Sequence, residues 1–422
     1  MLRQRLDWRV VAAILAVPLL VGFGGQKEPE GKAAWRDDAT NLEVVRKLNR
    51  SHRLMPFSWE FEGGVDESPL EFEWTVGRDL PLAWKGGVAC PIGEEIILTG
   101  GLWMPGRLNR TLAYHLDKGT YRELPSPPIR PQYTQGTCDE QALYVVGGRG
   151  SGSRVLKLSQ DSSGSWKWTD LPSLPPEEGE GRWVGAAGID PGKWLVLVGG
   201  APTGTSYENR IRPQLVDYRL RLDRSDARWE RTSPYPGGPR GVLQSAMVGG
   251  RLYVFGGSHT VPEMRSAHVE LSKQYGLRTP YNGVPNRRDS YSYDPQTDTW
   301  RSIRNLPFPV LGGHSVVTRE RYILLMGSAD YPTFRVGQSK SNVGIQIKGG
   351  ESSSRWRGYG DRVLCYDVDR DEYSSLGVMP YGVATTPWVL LGSKVYGFGG
   401  EPAHGFNLNT ETVLQIGTLI WR

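Results

Sequence analysis

The stretch RLYVFGG, residues 251–257, decides the fold. An apolar run stops at two glycines and gives way to the polar loop SHTVPEMR, residues 258–265. The same pattern recurs as EIILTGG at 95–101, ALYVVGG at 142–148, WLVLVGG at 194–200 and KVYGFGG at 394–400. A sixth copy, YILLMGS at 322–328, has lost its second glycine. Phosphate-binding glycines need a helix directly behind them, whereas strands surround these pairs and the pairs recur. They are therefore read as architecture, the exits of strands buried on both faces.

Each unit carries the same downstream pieces: a strand with an aromatic, a polar turn, Trp or Tyr, then a Leu-Pro-like ending. DSYSYDPQTDTWRSIRNLPFP, residues 289–309, is the clearest, and VDYRLRLDRSDARWERTSPYP, residues 216–236, follows it closely. A small-residue strand comes next, as in GAAGI at 185–189, QSAMV at 244–248 and GHSVV at 313–317. This pattern resembles the kelch repeat over residues 70–422. The resemblance implies an all-β fold, a six-bladed kelch β-propeller of four-stranded antiparallel blades. The last unit ends TETVLQIGTLIWR, residues 410–422, with no outer strand after it. The missing piece stands near the start as EFEWTVGRDLPLAW, residues 71–84, so an N-terminal strand is expected to close the last blade.

Composition agrees with many short strands and tight turns: Gly 54 and Pro 30 in 422 residues, with Trp 15 and Tyr 19 to build a core. The net charge of +5 is mild and no run of five basic residues occurs, which argues against nucleic acid as a partner. Arg3, Arg5 and Arg9 precede the apolar residues 10–23, which suit a signal-peptide core better than a membrane span. Residues 1–25 are thus read as signal peptide or N-terminal anchor, residues 26–69 as a polar leader and residues 70–422 as the propeller. The expected location is periplasmic or extracellular, with membrane contact only through that possible anchor.

Three cysteines occur, Cys90, Cys138 and Cys365. Cys90 and Cys138 hold matching places in successive repeats. Both a pairing of two and three buried thiols are compatible with the spacing. No cysteine–histidine cluster has zinc spacing. DVDRDE, residues 367–372, lacks the glycine and the distal glutamate of a calcium loop. Neither metal nor cofactor is expected.

In a propeller of this order the loops after the Gly-Gly exits ring one end of the central opening. Two of them are long, residues 258–288 and 328–362, which a scaffold alone does not require. That face is rich in arginine, which suits a small anion held by paired hydrogen bonds.

A narrower resemblance lies in MPYGVATTPWVLLGSKVYGFGGEPAHGFNLNTETVLQI, residues 379–416. It is similar to the terminal blade of bacterial exported sialic-acid mutarotases, the N-acetylneuraminate epimerases. The resemblance implies anomer interconversion by general acid–base chemistry on an anionic sugar. That family's central loop resembles NGExKxGxR; here GGSHTVPEMR, residues 256–265, places Arg265 at the arginine and Ser258 where the glutamate would stand. Glu263 is the substitute carboxylate in the same loop. The candidate catalytic residues are Glu263, Arg265, Glu401 and His404, with Arg182, Arg240, His259 and His314 as candidate ligand-binding groups. Two other readings compete. One is a non-catalytic kelch module binding a protein or glycan through its loops. The other, a copper radical oxidase, needs a loop cysteine crosslinked to tyrosine, and all three cysteines fall in strand positions.

Overall fold

The computed structural model describes residues 68–422 apart from 104–105, 108, 177–180, 203–215, 238–239, 260–276, 279–287, 308–309, 329–333, 336–359 and 403–409. Six four-stranded antiparallel sheets form the blades of a propeller. From the axis outward, blade 1 is Val88–Ile92, Glu95–Thr99, Thr111–His115 and Thr120–Leu124. Blade 2 is Gln135–Cys138, Ala142–Val146, Val155–Gln160 and Trp166–Leu171. Blade 3 is Ala186–Ile189, Trp194–Val198, Tyr218–Arg221 and Trp229–Arg231. Blade 4 is Gln244–Val248, Arg251–Phe255, Ser290–Asp294 and Thr299–Ile303. Blade 5 is His314–Thr318, Tyr322–Ser328, Gly360–Asp367 and Glu372–Val378. Blade 6 is Trp388–Leu391, Lys394–Phe398, Leu414–Trp421 and, outermost, Leu70–Val76. That last pair runs from Leu70 opposite Trp421 to Val76 opposite Gln415.

The core is divided among the blade interfaces. Six clusters of buried side chains each lie between two neighbouring blades. The second strands explain this: Ala142–Val146 and Trp194–Val198 are buried at every position, because a neighbouring blade covers each face. Each such Leu, Val or Ile contributes about 1.5–3 kcal/mol of burial.

The glycine pairs tie blade to blade. The amide of Gly200 donates to the carbonyl of Arg240 in the next blade at 2.8 Å. Gly101, Gly148, Gly257 and Gly400 donate in the same way to Pro131, Arg182, Val310 and Trp84. Gly199 has φ +61°, and a Cβ there would stand 2.6 Å from the Arg240 carbonyl oxygen. A side chain at this exit would therefore push the next blade away. In blade 5, where serine replaces the second glycine, the Ser328 hydroxyl accepts from the Leu311 amide at 2.8 Å and donates to the Leu311 carbonyl at 3.2 Å.

The Trp/Tyr and Leu-Pro pieces form a second tie, on the outer strands. Trp168 Nε1 donates to the Pro125 carbonyl at 2.8 Å, Trp229 Nε1 to Pro172 at 2.8 Å and Trp300 Nε1 to Ser233 at 3.0 Å. The Tyr373 hydroxyl donates to the Arg304 carbonyl at 3.0 Å in the same role. Each aromatic thus reaches the ending of the preceding repeat.

A third tie encircles the axis. Six residues, one entering each blade, hydrogen-bond head to tail. Tyr133 donates to Gly86 (2.8 Å), Val184 to Tyr133 (3.1 Å) and Val242 to Val184 (2.5 Å). Gly312 donates to Val242 (3.0 Å), Thr385 to Gly312 (2.7 Å) and Gly86 to Thr385 (2.8 Å). All six have positive φ, from 49° at Tyr133 to 66° at Gly312. Left-handed backbone at Val184, Val242 and Thr385 costs about 1–2 kcal/mol each, so the ring imposes a conformation these β-branched residues disfavour.

Cys90 and Cys138 form a disulfide between the innermost strands of blades 1 and 2, their Cα atoms 6.0 Å apart. Matching repeat positions in adjacent blades brought them together. Cys365 is a buried free thiol, its pKa pushed up to about 12 by burial. Asp367, from the acidic DVDRDE run, accepts two hydrogen bonds from Arg321 and caps its own hairpin through the amides of Asp369 and Arg370. Leu277–Arg278 pairs with Phe334–Arg335, so the long excursions of blades 4 and 5 meet in a two-stranded ribbon. Among the described residues no helix is long and apolar enough to cross a membrane.

Candidate functional site

The ring of six residues forms a landmark at the loop end of the axis. Just before it, in blades 1, 2, 3, 4 and 6, the residue ahead of the ring pairs with the residue that follows that blade's own Gly-Gly exit. Lys85 faces Leu102 in blade 1 and Gln132 faces Arg149 in blade 2. Trp183 faces Ala201 in blade 3, Gly241 faces Ser258 in blade 4 and Ala384 faces Glu401 in blade 6. The register thus places the first residue after each of these five exits beside the ring. Two of these posts are charged, Arg149 and Glu401, on the two blades that flank blade 1.

A side-chain constellation spans this sector. The Tyr133 hydroxyl donates to Glu401 Oε1, joining blade 2 to blade 6. Blade 1 lies between them, and its ring residue is Gly86. A Cβ on Gly86 would stand 2.6 Å from Tyr133 Cδ1, so the phenol ring lies across the glycine. Four other ring positions carry side chains despite positive φ. What requires a glycine at 86 is therefore the tyrosine above it. The Tyr133 ring stands 6.0 Å from Trp183, and the Arg149 guanidinium lies 5.2 Å from the Trp183 ring centre on the indole face. Tyr133 is buried, whereas Arg149, Trp183 and Glu401 are partly exposed. Beside them Lys85 Nζ and Glu411 Oε1 form a 2.6 Å ion pair, both side chains largely buried.

This arrangement offers a carboxylate in direct hydrogen-bond contact with a phenol, an aromatic wall and a guanidinium. It can move protons at one end and hold an anion at the other. Among the described residues no group of three or more His, Cys, Asp or Glu side chains is placed to hold a metal ion.

The residues singled out in the sequence fall in different places. Glu401 is at the mouth. Arg182 and Arg240 occupy matching positions in blades 3 and 4 and have no exposed surface. Arg182 donates to the carbonyls of Gly199 at 3.0 Å and Val216 at 2.6 Å, with Asp217 at 3.9 Å. Arg240 grips the Asp289 carboxylate with two hydrogen bonds, 3.1 and 2.8 Å, and donates to the carbonyls of Gly237 and Gly256. Each arginine ties the glycine exit of its own blade to the start of the third strand. His314 opens the innermost strand of blade 5 and faces Met326. It is partly exposed, and desolvation by the surrounding protein pushes the imidazole pKa down to about 4. The imidazole is neutral at pH 7. The backbone of His259 pairs with Arg240. Glu263, Arg265 and His404 lie outside the described residues.

Sequence reasoning singled out neither Tyr133 nor Trp183 nor Arg149. The signal that finds Arg149 and Glu401 is their common place directly after a Gly-Gly pair.

The Kelch motif family model matches residues 239–307. The chain is similar to N-acetylneuraminate epimerase 1 of Escherichia coli O6:H1, 24% identical over 247 residues, covering 56% of this chain and 58% of that protein. It is similar to the N-acetylneuraminate epimerase of Shigella sonnei, 24% identical over 209 residues, 47% of this chain and 51% of that protein. The N-acetylneuraminate epimerase of Salmonella arizonae is 28% identical over 204 residues, 48% of this chain and 44% of that protein. The chain's matches span about half the length of these curated relatives. Together with the six blades, these matches describe a kelch propeller distantly similar to sialic-acid mutarotases.

Proposed function

We propose that this protein interconverts the anomers of an anionic sugar of the N-acetylneuraminate type at the loop end of its axis. The observation that carries the reading is the Tyr133–Glu401 hydrogen bond laid across Gly86. The Glu401 carboxylate takes the proton of the anomeric hydroxyl. The Tyr133 hydroxyl protonates the ring oxygen as its bond to the anomeric carbon breaks. The open form recloses on its other face: the Tyr133 phenolate takes the proton back from the hydroxyl that becomes the ring oxygen, and protonated Glu401 gives its proton to the new anomeric oxygen, so both groups end as they began. The names of the relatives support the substrate class. Arg265, Glu263 and His404, the further candidates from the sequence, lie outside the described residues.

The disulfide supports an exported protein, since such bonds persist in oxidising compartments. The N-terminal apolar stretch, read as a signal peptide or anchor, agrees with that location.

The test follows the anomeric proton signals of freshly dissolved N-acetylneuraminate by NMR. The wild-type protein is expected to speed equilibration, and Glu401→Gln or Tyr133→Phe to lose about 10²-fold or more of that rate. No acceleration by the wild type would sink the reading. A non-catalytic module binding a glycan or protein is the second reading, favoured by Ser258 standing where the resembled family carries its glutamate.

A further inference from the structure

We infer that the Cys90–Cys138 disulfide is a redox-sensitive clamp on the axial site. Oxidised, it holds Tyr133 across Gly86; reduced, it leaves a folded propeller whose Tyr133–Glu401 pair is out of place. The catalytic consequence rests on the reading above, while the clamp itself rests on geometry alone.

The seam between blades 1 and 2 carries three contacts in one column. Gly86 leads into the innermost strand Val88–Ile92, and Tyr133 leads into Gln135–Cys138. At the ring, the Tyr133 phenol lies across Gly86. Next, Val88 packs against Gly136, where a Cβ would run into both methyl groups of the valine. Below that, Cys90 is bonded to Cys138. Val88 and Cys90 lie two apart on one strand, as do Gly136 and Cys138 on the other, so both positions of each strand face the seam. Glycines at 86 and 136 let the two blades approach more closely than side chains would permit, and the disulfide fixes that approach from below. Of the six seams this one alone is closed by a covalent bond, since Cys365 is a free thiol. It is also the seam that carries the phenol.

Above the bond the column is held by weaker means. Tyr133 has left-handed backbone, φ +49°, which a tyrosine disfavours. Its amide donates to the Gly86 carbonyl at 2.8 Å and its hydroxyl to Glu401. Opening the disulfide lets the crowded Val88–Gly136 contact spread, and the phenol moves with its strand. A displacement of about 1 Å at a reacting group costs up to about 10²-fold in rate. The bond is open to attack from one side: Cys90 has no exposed surface, whereas Cys138 is partly exposed. A dithiol reductant supplies the two electrons and two protons. Its first thiolate attacks Cys138 Sγ and releases the Cys90 thiol. Its second thiol then displaces Cys138, leaving two protein thiols and a cyclic disulfide of the reagent.

The experiment compares the full protein oxidised, reduced with dithiothreitol and reoxidised, with unfolding curves showing that each form is folded at the assay temperature. Anomerisation of N-acetylneuraminate is expected to slow about tenfold or more on reduction, in kcat rather than KM, and to recover on reoxidation. Cys90→Ser with Cys138→Ser should match the reduced protein and ignore the reductant. Trp229→Phe loses the indole bond to Pro172 at the rim of another seam and is expected to keep both the rate and the redox response. A second readout needs no substrate. Tyr133→Phe removes the bond to Glu401 and should lower Tm by about 2–4 °C in the oxidised protein, and by less than half of that in the reduced one. A folded, reduced protein with the full rate overturns the inference. So does a Trp229→Phe protein as slow as the reduced one, because general loosening would then explain the loss. If the wild type does not speed anomerisation in any form, the proposed function falls and the Tm comparison still decides the clamp. Equal Tm shifts for Tyr133→Phe in both redox states remove the clamp and leave the proposed function standing.

Discussion

Gly86→Ala is the sharpest test of how the site is built. The added methyl would stand 2.6 Å from Tyr133 Cδ1 and 2.9 Å from Cε1, both inside contact distance. Alanine at φ +63° costs about 1 kcal/mol for the left-handed backbone alone. Displacing the crowded ring adds about 1–3 kcal/mol. Loss of the phenol–carboxylate hydrogen bond adds about 1.5–3 kcal/mol. The expected total is about 3.5–7 kcal/mol, or about 5–10 °C in Tm for a propeller of roughly 350 residues. A second background separates these contributions. Tyr133→Val puts at this ring position the residue type already present at Val184 and Val242, and it removes both the clash and the hydrogen bond. In that background Gly86→Ala should cost only about 1 kcal/mol. Urea unfolding of the four proteins gives the coupling energy directly. If Gly86→Ala costs about the same in both backgrounds, the tyrosine is not what requires the glycine, and the account of the site is wrong.

The disulfide closes a sequence separation of 48, so its removal by Cys90→Ser with Cys138→Ser is expected to cost about 4 kcal/mol by chain entropy. Thermal scans should show a drop of roughly 5 °C, with reductant lowering Tm in the wild type but not in the double variant. His314 is held neutral when folded, with its pKa lowered to about 4, whereas the unfolded chain protonates near 6.5. The unfolded state therefore gains the proton first. Stability should fall as pH drops from about 6.5 to about 4, and the contribution then levels off. His314→Gln should flatten that part of a stability–pH curve, and an unchanged curve would show that other groups set it.

The repeat was legible because its parts are chemically obligatory. A glycine that must meet a carbonyl of the next blade cannot be exchanged freely, so Gly100, Gly147, Gly199, Gly256, Gly327 and Gly399 stand out in any reading. The Trp-then-Leu-Pro ending was legible for a similar reason, since each indole needs the carbonyl it reaches. The axial ring was not. Gly86, Tyr133, Val184, Val242, Gly312 and Thr385 have no one residue type in common, because neighbouring blades impose their conformation through backbone hydrogen bonds. Arg182 and Arg240 were read as ligand-binding groups because sequence does not reveal burial. In the other blades their places are held by Pro131, Val310, Val383 and Trp84, which gives no hint of a polar interior. Glu401 entered as a candidate through the family resemblance of the last unit, while its partner was hidden by distance. Tyr133 precedes it by 268 positions and reaches it only because the blade between them contributes a glycine.

The pairing of Leu70–Val76 with Leu414–Trp421 also governs how the molecule would respond to force. Leu70 sits opposite Trp421, so the two ends of this strand pair emerge side by side. Tension applied between them would open the pair one rung at a time, like a zipper, rather than load all rungs together in shear. Peeling away the outer strand would expose the flank of Leu414–Trp421 while the six-membered ring at the axis stayed whole. The propeller would therefore loosen from its rim, and the mouth would be the last part to lose its shape.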